Sequence, residues 1–119
     1  MKTGLVVDDA AIMRMRLREI LEPLYTVIGE AGDGDEAVRL YQELSPDFVT
    51  LDISMPGTNG MQALEQLRAY DPTAKIVIVS AVGQKRQVID ALQKGAADFV
   101  IKPFERDRVL KAVKRLFQG

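Results

Sequence analysis

The chain alternates two hydrophobic patterns along its length. Short runs rich in Val, Ile and Leu are typical of buried strands, and there are five of them: GLVVDD, TVIGEAG, DFVTLD, KIVIVSA and DFVIK. Between the runs, apolar residues recur every three or four positions. This spacing predicts amphipathic helices over residues 10–22, 35–44, 60–69, 84–94 and 105–117.

This regular alternation of strand and helix predicts the α/β fold class. Apolar strands that alternate with helices form a parallel sheet covered on both faces, and right-handed crossovers restrict its topology. We expect a doubly wound, flavodoxin-like sheet with strand order 2-1-3-4-5 and five helices, in a single domain over residues 1–119. Sites in such sheets lie at the carboxyl ends of the strands, near the point where the strand order reverses.

The amino-acid composition excludes several kinds of chemistry at the carboxyl edge of the predicted sheet. The 119 residues include no cysteine and no histidine, which excludes disulfides, thiol nucleophiles and the commonest transition-metal ligand. A metal ion would have to be held by oxygen atoms, which favours Mg²⁺, Mn²⁺ or Ca²⁺. The net charge of −1 shows no basic excess for nucleic acid. No apolar run approaches the length of a membrane span, so we expect a cytoplasmic protein without membrane insertion.

Polar side chains end four of the five predicted strands. The first strand ends in Asp8 and Asp9, the third in Asp52, the fourth in Ser80 and the fifth in Lys102. Each of these residue types is common at strand ends for structural reasons alone. The predicted fold, however, brings all of these strand ends to one edge of the sheet.

Three carboxylates at one edge raise one another's pKa unless cations neutralise them. Mg²⁺ is a suitable cation because it binds through one or two carboxylates and keeps its other positions for water or phosphate oxygens. A lysine adds a positive point charge, and a serine hydroxyl can donate a hydrogen bond to an anion. Asp52 stands alone on the central strand, so it is the best candidate for a phosphoryl acceptor. Asp8 and Asp9 form a pair suited to holding the ion.

Four motifs together resemble the receiver domains of two-component response regulators over the whole chain: VVDDAAIMR, DFVTLDISMPGTNG, IVIVSA and GAADFVIKPF. The resemblance implies that Asp52 accepts a phosphoryl group from the phosphohistidine of a histidine kinase. It implies that Mg²⁺ is bound directly by Asp9, Asp52 and the backbone carbonyl of Ser54, which the MPGTNG loop carries to the metal. Asp8 would act through water, and Mn²⁺ or Ca²⁺ could substitute for Mg²⁺.

The resemblance also implies a conformational switch. Ser80 would be the switch hydroxyl that contacts the phosphoryl group, and Lys102 would pair with that group. Phe99 stands where the family often has tyrosine, so an aromatic switch here would act by packing without a hydroxyl. The bond from Lys102 to Pro103 is expected to be cis. Val82 beside the site has no polar group to orient a water molecule, which predicts slow loss of the phosphoryl group.

Within the family, the chain is most similar to chemotaxis regulators. This implies a flagellar switch protein or another output partner, and a possible phosphatase. The first helix would dock the kinase, whereas the fourth helix, fifth strand and fifth helix would bind the output partner. The predicted partner surface comprises Arg14, Met15, Ile89, Phe99, Arg106, Arg108 and Lys111. DNA binding is not expected, because no recognition-helix module accompanies the basic face of the last helix.

Three other interpretations are open on the sequence alone. The chain could be the receiver part of a longer regulator, for example a transcriptional one. A Mg²⁺-dependent phosphohydrolase of the haloacid-dehalogenase-like class would need an acid two residues after its nucleophile, where this chain has Ser54. A flavodoxin-like cofactor binder would need a Ser-, Thr- and Gly-rich loop after the first strand, whereas the charges of DDAA would repel a phosphate in the absence of a metal ion. We favour a signalling switch over an enzyme.

Overall fold

Five parallel strands form one central sheet. The computed structural model describes residues 1–55 and 60–118. Within them the strands are Thr3–Val7 (β1), Thr26–Ala31 (β2), Phe48–Asp52 (β3), Ile76–Ala81 (β4) and Asp98–Lys102 (β5). Their order across the sheet is β2-β1-β3-β4-β5, which confirms the predicted topology.

A helix follows each strand within the described residues. The helices are Ala11–Leu21 (α1), Gly34–Leu44 (α2), Gly60–Tyr70 (α3), Lys85–Gln93 (α4) and Arg106–Arg115 (α5). The bounds differ from the predicted ones by one or two residues at most. Residues 56–59 of the MPGTNG loop lie outside the described residues. None of the helices described has the length and apolarity needed to cross a bilayer.

Strand β1 ends before the two aspartates that close its apolar run. The Asp8 carboxylate oxygen Oδ1 accepts a hydrogen bond from the backbone N–H of Ala10 at 2.9 Å. This side-chain bond to a backbone group two residues on turns the chain out of the strand. The chain then enters α1, so the carboxylates of Asp8 and Asp9 lie at the turn between strand and helix.

Two hydrophobic cores lie on opposite faces of the sheet. Alternate strand residues point to opposite faces, so Leu5 and Val7 pack with α2, α3 and α4, whereas Val6 packs with α1 and α5. All five residues of β3 are buried, as expected for a central strand covered on both sides. This is the doubly wound arrangement, and it leaves the carboxyl edge of the sheet open between the two helix layers.

The start of α3 packs directly against the end of β3. A Cβ atom on Gly60 would collide with the carbonyl oxygen of Asp52 and with the Cα of Ile53. Because those are backbone atoms that cannot rotate away, only glycine fits at this position. The close approach fixes the carboxyl end of β3 against the first turn of α3.

The turn after β5 is also anchored. The peptide bond between Lys102 and Pro103 is cis, as the resemblance led us to expect. Phe104 follows at once and is buried in the core shared by α1 and α5. Lys102 is therefore held at the sheet edge by a turn whose next aromatic residue is fixed in the core.

Candidate functional site

Three carboxylates meet at the carboxyl edge of the sheet. Asp8 and Asp9 follow β1, and Asp52 ends β3, the neighbouring strand. One oxygen from each carboxylate lies within 4.8 Å of the oxygens of the other two. Asp8 and Asp52 are buried, whereas Asp9 is exposed. The fold therefore brings together the three acids that the strand-end pattern predicts.

Lys102 reaches this cluster from the end of β5. Its ammonium nitrogen lies 2.9 Å from Oδ2 of Asp8 and donates a hydrogen bond to Oδ2 of Asp52 at 3.3 Å. Burial lowers the pKa of the Lys102 ammonium, but the bond to Asp8 and the charges of Asp52 and Asp8 outweigh burial, so that pKa lies above its ordinary value. Lys102 is thus a fixed positive charge between two buried carboxylates.

The cluster fits a divalent cation held by oxygen. Each Mg²⁺–oxygen bond is about 2.1 Å, so oxygens at opposite corners of the octahedron are about 4.2 Å apart, which matches carboxylate oxygens within 4.8 Å of one another. The Lys102 ammonium can balance only one of the three carboxylate charges, so the cluster has negative charge left for a cation to neutralise. Oδ2 of Asp8 is buried and has no aligned hydrogen bond within the described residues, its ion pair with Lys102 excepted.

Backbone and side-chain groups hold the two buried carboxylates in place. Oδ1 of Asp52 accepts a hydrogen bond from the backbone N–H of Ser54 at 2.8 Å. The backbone carbonyl of Asp8 accepts a bond from Arg14 Nη1 at 2.6 Å. Arg14 is itself fixed by Glu30, whose Oε1 lies 2.9 Å from its Nε. Arg14 therefore supports the turn that carries Asp8 and Asp9, and it also belongs to the predicted docking helix.

Ser80 places a buried hydroxyl at the end of β4, one residue beyond the position opposite Asp52. Ser80 is buried, and its Oγ has no hydrogen-bond partner among the residues described. In the register of the sheet, Asp52 lies opposite Val79 and Ala81 lies opposite Lys102, so Ser80 lies between those two pairings. A buried hydroxyl that makes no hydrogen bond lowers the stability of the fold. Ser80 is therefore suited to donate to an acceptor that arrives at Asp52.

Gln84 connects the loop after β3 to the loop after β4 beside the site, although no sequence motif indicates this role. Gln84 is the N-cap residue of α4. Its side-chain oxygen accepts hydrogen bonds from Ser54 Oγ at 3.1 Å and from the backbone N–H of Ala81 at 2.8 Å. A glutamine before a helix is a common surface residue, so a sequence pattern could not have identified this bridge.

Some side chains of the predicted partner surface are exposed, whereas others bind neighbouring residues of the chain. Met15, Ile89, Arg106 and Lys111 are exposed. Arg14 is engaged with Asp8 and Glu30, as described above, and Arg108 is engaged with residues of β5. Arg108 Nη2 donates to Oδ1 of Asp98 at 3.2 Å and to the carbonyl of Phe99, and its guanidinium lies 5.5 Å from the centre of the Phe99 ring.

An apolar groove lies between α4 and β5. Its volume is about 400 Å³, and it is lined by Val82, Gly83, Gln84, Lys85, Val88, Ile89, Leu92, Phe99 and Ile101. Ile89 is 47% exposed, although it is a large apolar residue. Apolar grooves of this kind are typical of surfaces that bind partners. The predicted switch residue Phe99 lies in the groove lining, and the loop after Ser80 forms one end of it.

The sequence also matches the model of a known protein family. Residues 5–114 match the response regulator receiver domain. The match includes the acidic cluster, the strand-end serine and the strand-end lysine. The chain belongs to the response regulator receiver family.

Several known relatives are similar to this chain over nearly their full length. The chain is 49% identical over 116 residues to the chemotaxis protein CheY of Thermotoga maritima, covering 97% of each protein. It is 50% identical over 113 residues to protein CcdB of Bacillus subtilis, covering 94% of each. Among solved structures, a complex of CheX with CheY, BeF3 and Mg from Borrelia burgdorferi aligns with a TM-score of 0.95 at 36% identity, over 99% of this chain and 90% of that one.

Proposed function

We propose that the protein is a phosphorylation-activated response regulator in which Asp52 accepts the phosphoryl group of a histidine kinase. One observation carries the proposal: Asp52 is a buried carboxylate that contacts Lys102 at 3.3 Å and lies within 4.8 Å of two further carboxylates. Such a cluster combines an oxygen nucleophile with groups that neutralise a transferring phosphoryl group. Residues 1–119 would act as one receiver domain.

In the transfer step, a carboxylate oxygen of Asp52 attacks the phosphorus of the donor phosphohistidine. An O–P bond forms, giving an acyl phosphate, and the P–N bond breaks, with its electron pair returning to the imidazole of the donor. Lys102 stabilises the negative charge on the phosphoryl oxygens. The bond from the Ser54 N–H to Oδ1 orients the Asp52 carboxylate, so that Oδ2 faces Lys102.

The residues that would hold Mg²⁺ are Asp9, Asp52 and the backbone carbonyl of Ser54, with Asp8 through water. Mn²⁺ or Ca²⁺ could substitute, since all of these ligands are oxygen. The ion supplies charge neutralisation of the carboxylates and of the phosphoryl oxygens. Asp9 suits a direct ligand because its carboxylate is exposed at the cluster.

Phosphorylation would then shift the molecule between two states. The phosphoryl group gives the unpaired Ser80 hydroxyl an acceptor, and movement of Ser80 opens space for Phe99. Phe99 has no hydroxyl, so packing alone would hold its two positions. Because Phe99 lines the groove between α4 and β5, its position would change the surface offered to an output partner.

The output we propose is control of the flagellar motor in chemotaxis, in the cytoplasm. The 49% identity to the CheY of Thermotoga maritima supports this pathway. The kinase would dock on α1 through Met15, which is 49% exposed, and an output partner such as a flagellar switch protein would bind the groove. A phosphatase partner would end the signal.

Phosphoryl uptake tests the proposal directly. The purified chain is incubated with Mg²⁺ and acetyl phosphate and its intact mass is measured. We expect one added phosphoryl group, none with EDTA, and none in Asp52→Asn. The matched control is Asp90→Asn, an exposed aspartate on α4, which should be phosphorylated like the unmodified chain. Absence of uptake at every Mg²⁺ concentration would contradict the proposal.

A further inference from the structure

Gln84 is placed to control the donors around the phosphoryl acceptor. Its amide oxygen receives hydrogen bonds from the Ser54 hydroxyl and from the Ala81 backbone N–H, at 3.1 and 2.8 Å. Both donors belong to residues next to the reacting groups. Ser54 N–H binds the Asp52 carboxylate, and Ala81 directly follows Ser80.

These two donors would otherwise be available to an anion on Asp52. A phosphoryl group adds oxygens that accept hydrogen bonds strongly, because they carry negative charge. Near Asp52, the ammonium of Lys102 already contacts carboxylates, and the Ser80 hydroxyl has no hydrogen-bond partner among the described residues. The Ser54 hydroxyl and the Ala81 N–H, in contrast, donate to the uncharged side chain of Gln84. A carboxamide oxygen is a weaker acceptor than a phosphoryl oxygen, so it can be displaced.

We propose that the Gln84 side-chain oxygen is an internal substitute for a phosphoryl oxygen, which holds the Ser54 and Ala81 donors in the unphosphorylated protein and is displaced on phosphorylation. This inference rests on the proposed function of Asp52. Gln84 is thus a positioning residue that opposes phosphorylation and takes no part in the chemical step.

The loop that carries Gln84 can move at little cost in packing. Val82 is 75% exposed. Gly83 has a φ of 92°, and a Cβ placed on it would meet no atom within 4 Å. Glycine adopts this left-handed conformation without strain. Neither Val82 nor Gly83 therefore resists displacement of the Gln84 side chain through core packing.

Release of Gln84 would reach the partner groove directly. Gln84 is the N-cap of α4, and the groove is lined both by Gln84 and by Val88 and Ile89 one turn further along the helix. A change in the two bonds of Gln84 therefore alters the start of the helix that forms one wall of the groove.

Binding of beryllofluoride, a phosphoryl analogue, tests the proposal. The unmodified chain, Gln84→Ala and Gln84→Glu are titrated with beryllofluoride at saturating Mg²⁺, and binding is followed by amide NMR shifts. Loss of two competing neutral hydrogen bonds should lower the half-saturation concentration of Gln84→Ala about fivefold. Gln84→Glu should raise it, because its carboxylate holds the donors more strongly and repels the anion.

A matched control is Gln87→Ala. Gln87 is exposed on the same helix, and its substitution should leave the half-saturation concentration unchanged. If Gln84 only tightens the loop, Gln84→Ala would bind beryllofluoride equally or more weakly than the unmodified chain, and the proposal would be wrong. If the unmodified chain fails to bind beryllofluoride, the proposed function itself fails, and the inference with it.

A second measurement needs no metal ion. Hydrogen exchange of the Ala81 amide is measured in the metal-free protein, where its N–H is bonded to Gln84. Exchange should be several-fold faster in Gln84→Ala and unchanged in Gln87→Ala, because the bond protects that amide. Equal Ala81 exchange rates in the unmodified chain and Gln84→Ala would show that Gln84 does not hold this donor, and would overturn the proposal.

Discussion

Lys102 is the residue on which the electrostatics of the site depend. Its ammonium lies 2.9 Å from the Asp8 carboxylate and 3.3 Å from that of Asp52, and both acids are buried. Removal of one partner from a buried ion pair leaves a charge without compensation, which costs about 3–5 kcal/mol. The Lys102 side chain is 21% exposed, so solvent screening reduces that cost.

We expect Lys102→Met to lower the free energy of unfolding by about 2 kcal/mol in the absence of metal. Because Mg²⁺ compensates the same carboxylates, its addition should restore more stability in the variant than in the unmodified chain. Urea denaturation with and without Mg²⁺ measures both effects. Lys111→Met, at an exposed position on α5, is the control and should change little. Equal Mg²⁺ effects in Lys102→Met and the unmodified chain would contradict this prediction.

Val82 sets our expectation for the lifetime of the phosphorylated state. Its side chain is 75% exposed beside the site and cannot hydrogen-bond a water molecule. We expect the isolated phosphoprotein to lose its phosphoryl group over minutes or longer, and Val82→Gln to lose it roughly tenfold faster, because an amide can orient the attacking water. Intact-mass time courses measure both rates. A half-life of seconds for the unmodified chain would contradict the prediction.

At the scale of secondary structure elements, α2 is tied to the end of α3 by one polar contact. The Tyr41 hydroxyl donates a hydrogen bond to Oδ2 of Asp71 at 2.7 Å, and the ring of Tyr41 packs edge-on against Tyr70. The bond from Tyr41, followed by the bonds from Thr73, lowers the pKa of the Asp71 carboxyl. A carboxyl with a lowered pKa in the folded state stabilises the fold above its unfolded pKa of about 3.9.

This contact predicts a pH-dependent effect of Tyr41→Phe. The stabilisation is present at neutral pH and is lost as the pH falls through the folded pKa of Asp71. The variant should therefore lose more stability at about pH 7 than at about pH 2.5. Denaturation at the two pH values measures the difference. Tyr70→Phe is the control, since Tyr70 is exposed, and an equal loss for Tyr41→Phe at both pH values would contradict the assignment.

The helices and strands, and the polar residues at the strand ends, could be predicted because they depend on the spacing of apolar residues along the chain. Buried runs and helical periods predicted every strand and helix to within two residues, and the fold rule then predicted that Asp8, Asp52 and Lys102 would meet. The bonds of Gln84 to Ser54 and Ala81 could not be predicted, nor could the engagement of Arg14 with the Asp8 carbonyl. These contacts all involve residues of loops, and loop geometry follows no hydrophobic period.

At the scale of the whole molecule, one loop joins the proposed acceptor site to the apolar groove between α4 and β5. Val82, Gly83 and Gln84 follow Ser80 at the site and line the groove between α4 and β5. A partner that binds the groove more tightly in the phosphorylated state must, by linkage, stabilise the phosphorylated state to the same degree. Binding at the groove and occupancy of Asp52 should therefore be coupled in both directions.

We expect Ile89→Asp to separate the two functions. Ile89 is 47% exposed in the groove lining, so a charge there should leave folding and phosphoryl uptake unchanged. Binding of the phosphorylated chain to a flagellar switch peptide should weaken at least tenfold, because an apolar contact is replaced by a desolvated charge. Leu24→Asp, at an exposed apolar residue after α1, is the control. Unchanged affinity in Ile89→Asp would place the binding surface elsewhere.

The contact of Gly60 with the end of β3 limits how this chain can vary over evolutionary time. Any side chain at position 60 would push on the backbone of Asp52 and Ile53, and hence on the carboxylate that we propose as the phosphoryl acceptor. A substitution there would harm stability and chemistry at once, and no change in a neighbouring side chain could relieve it. Gly60 and Asp52 should therefore be inherited together, even where the helix faces around them diverge freely.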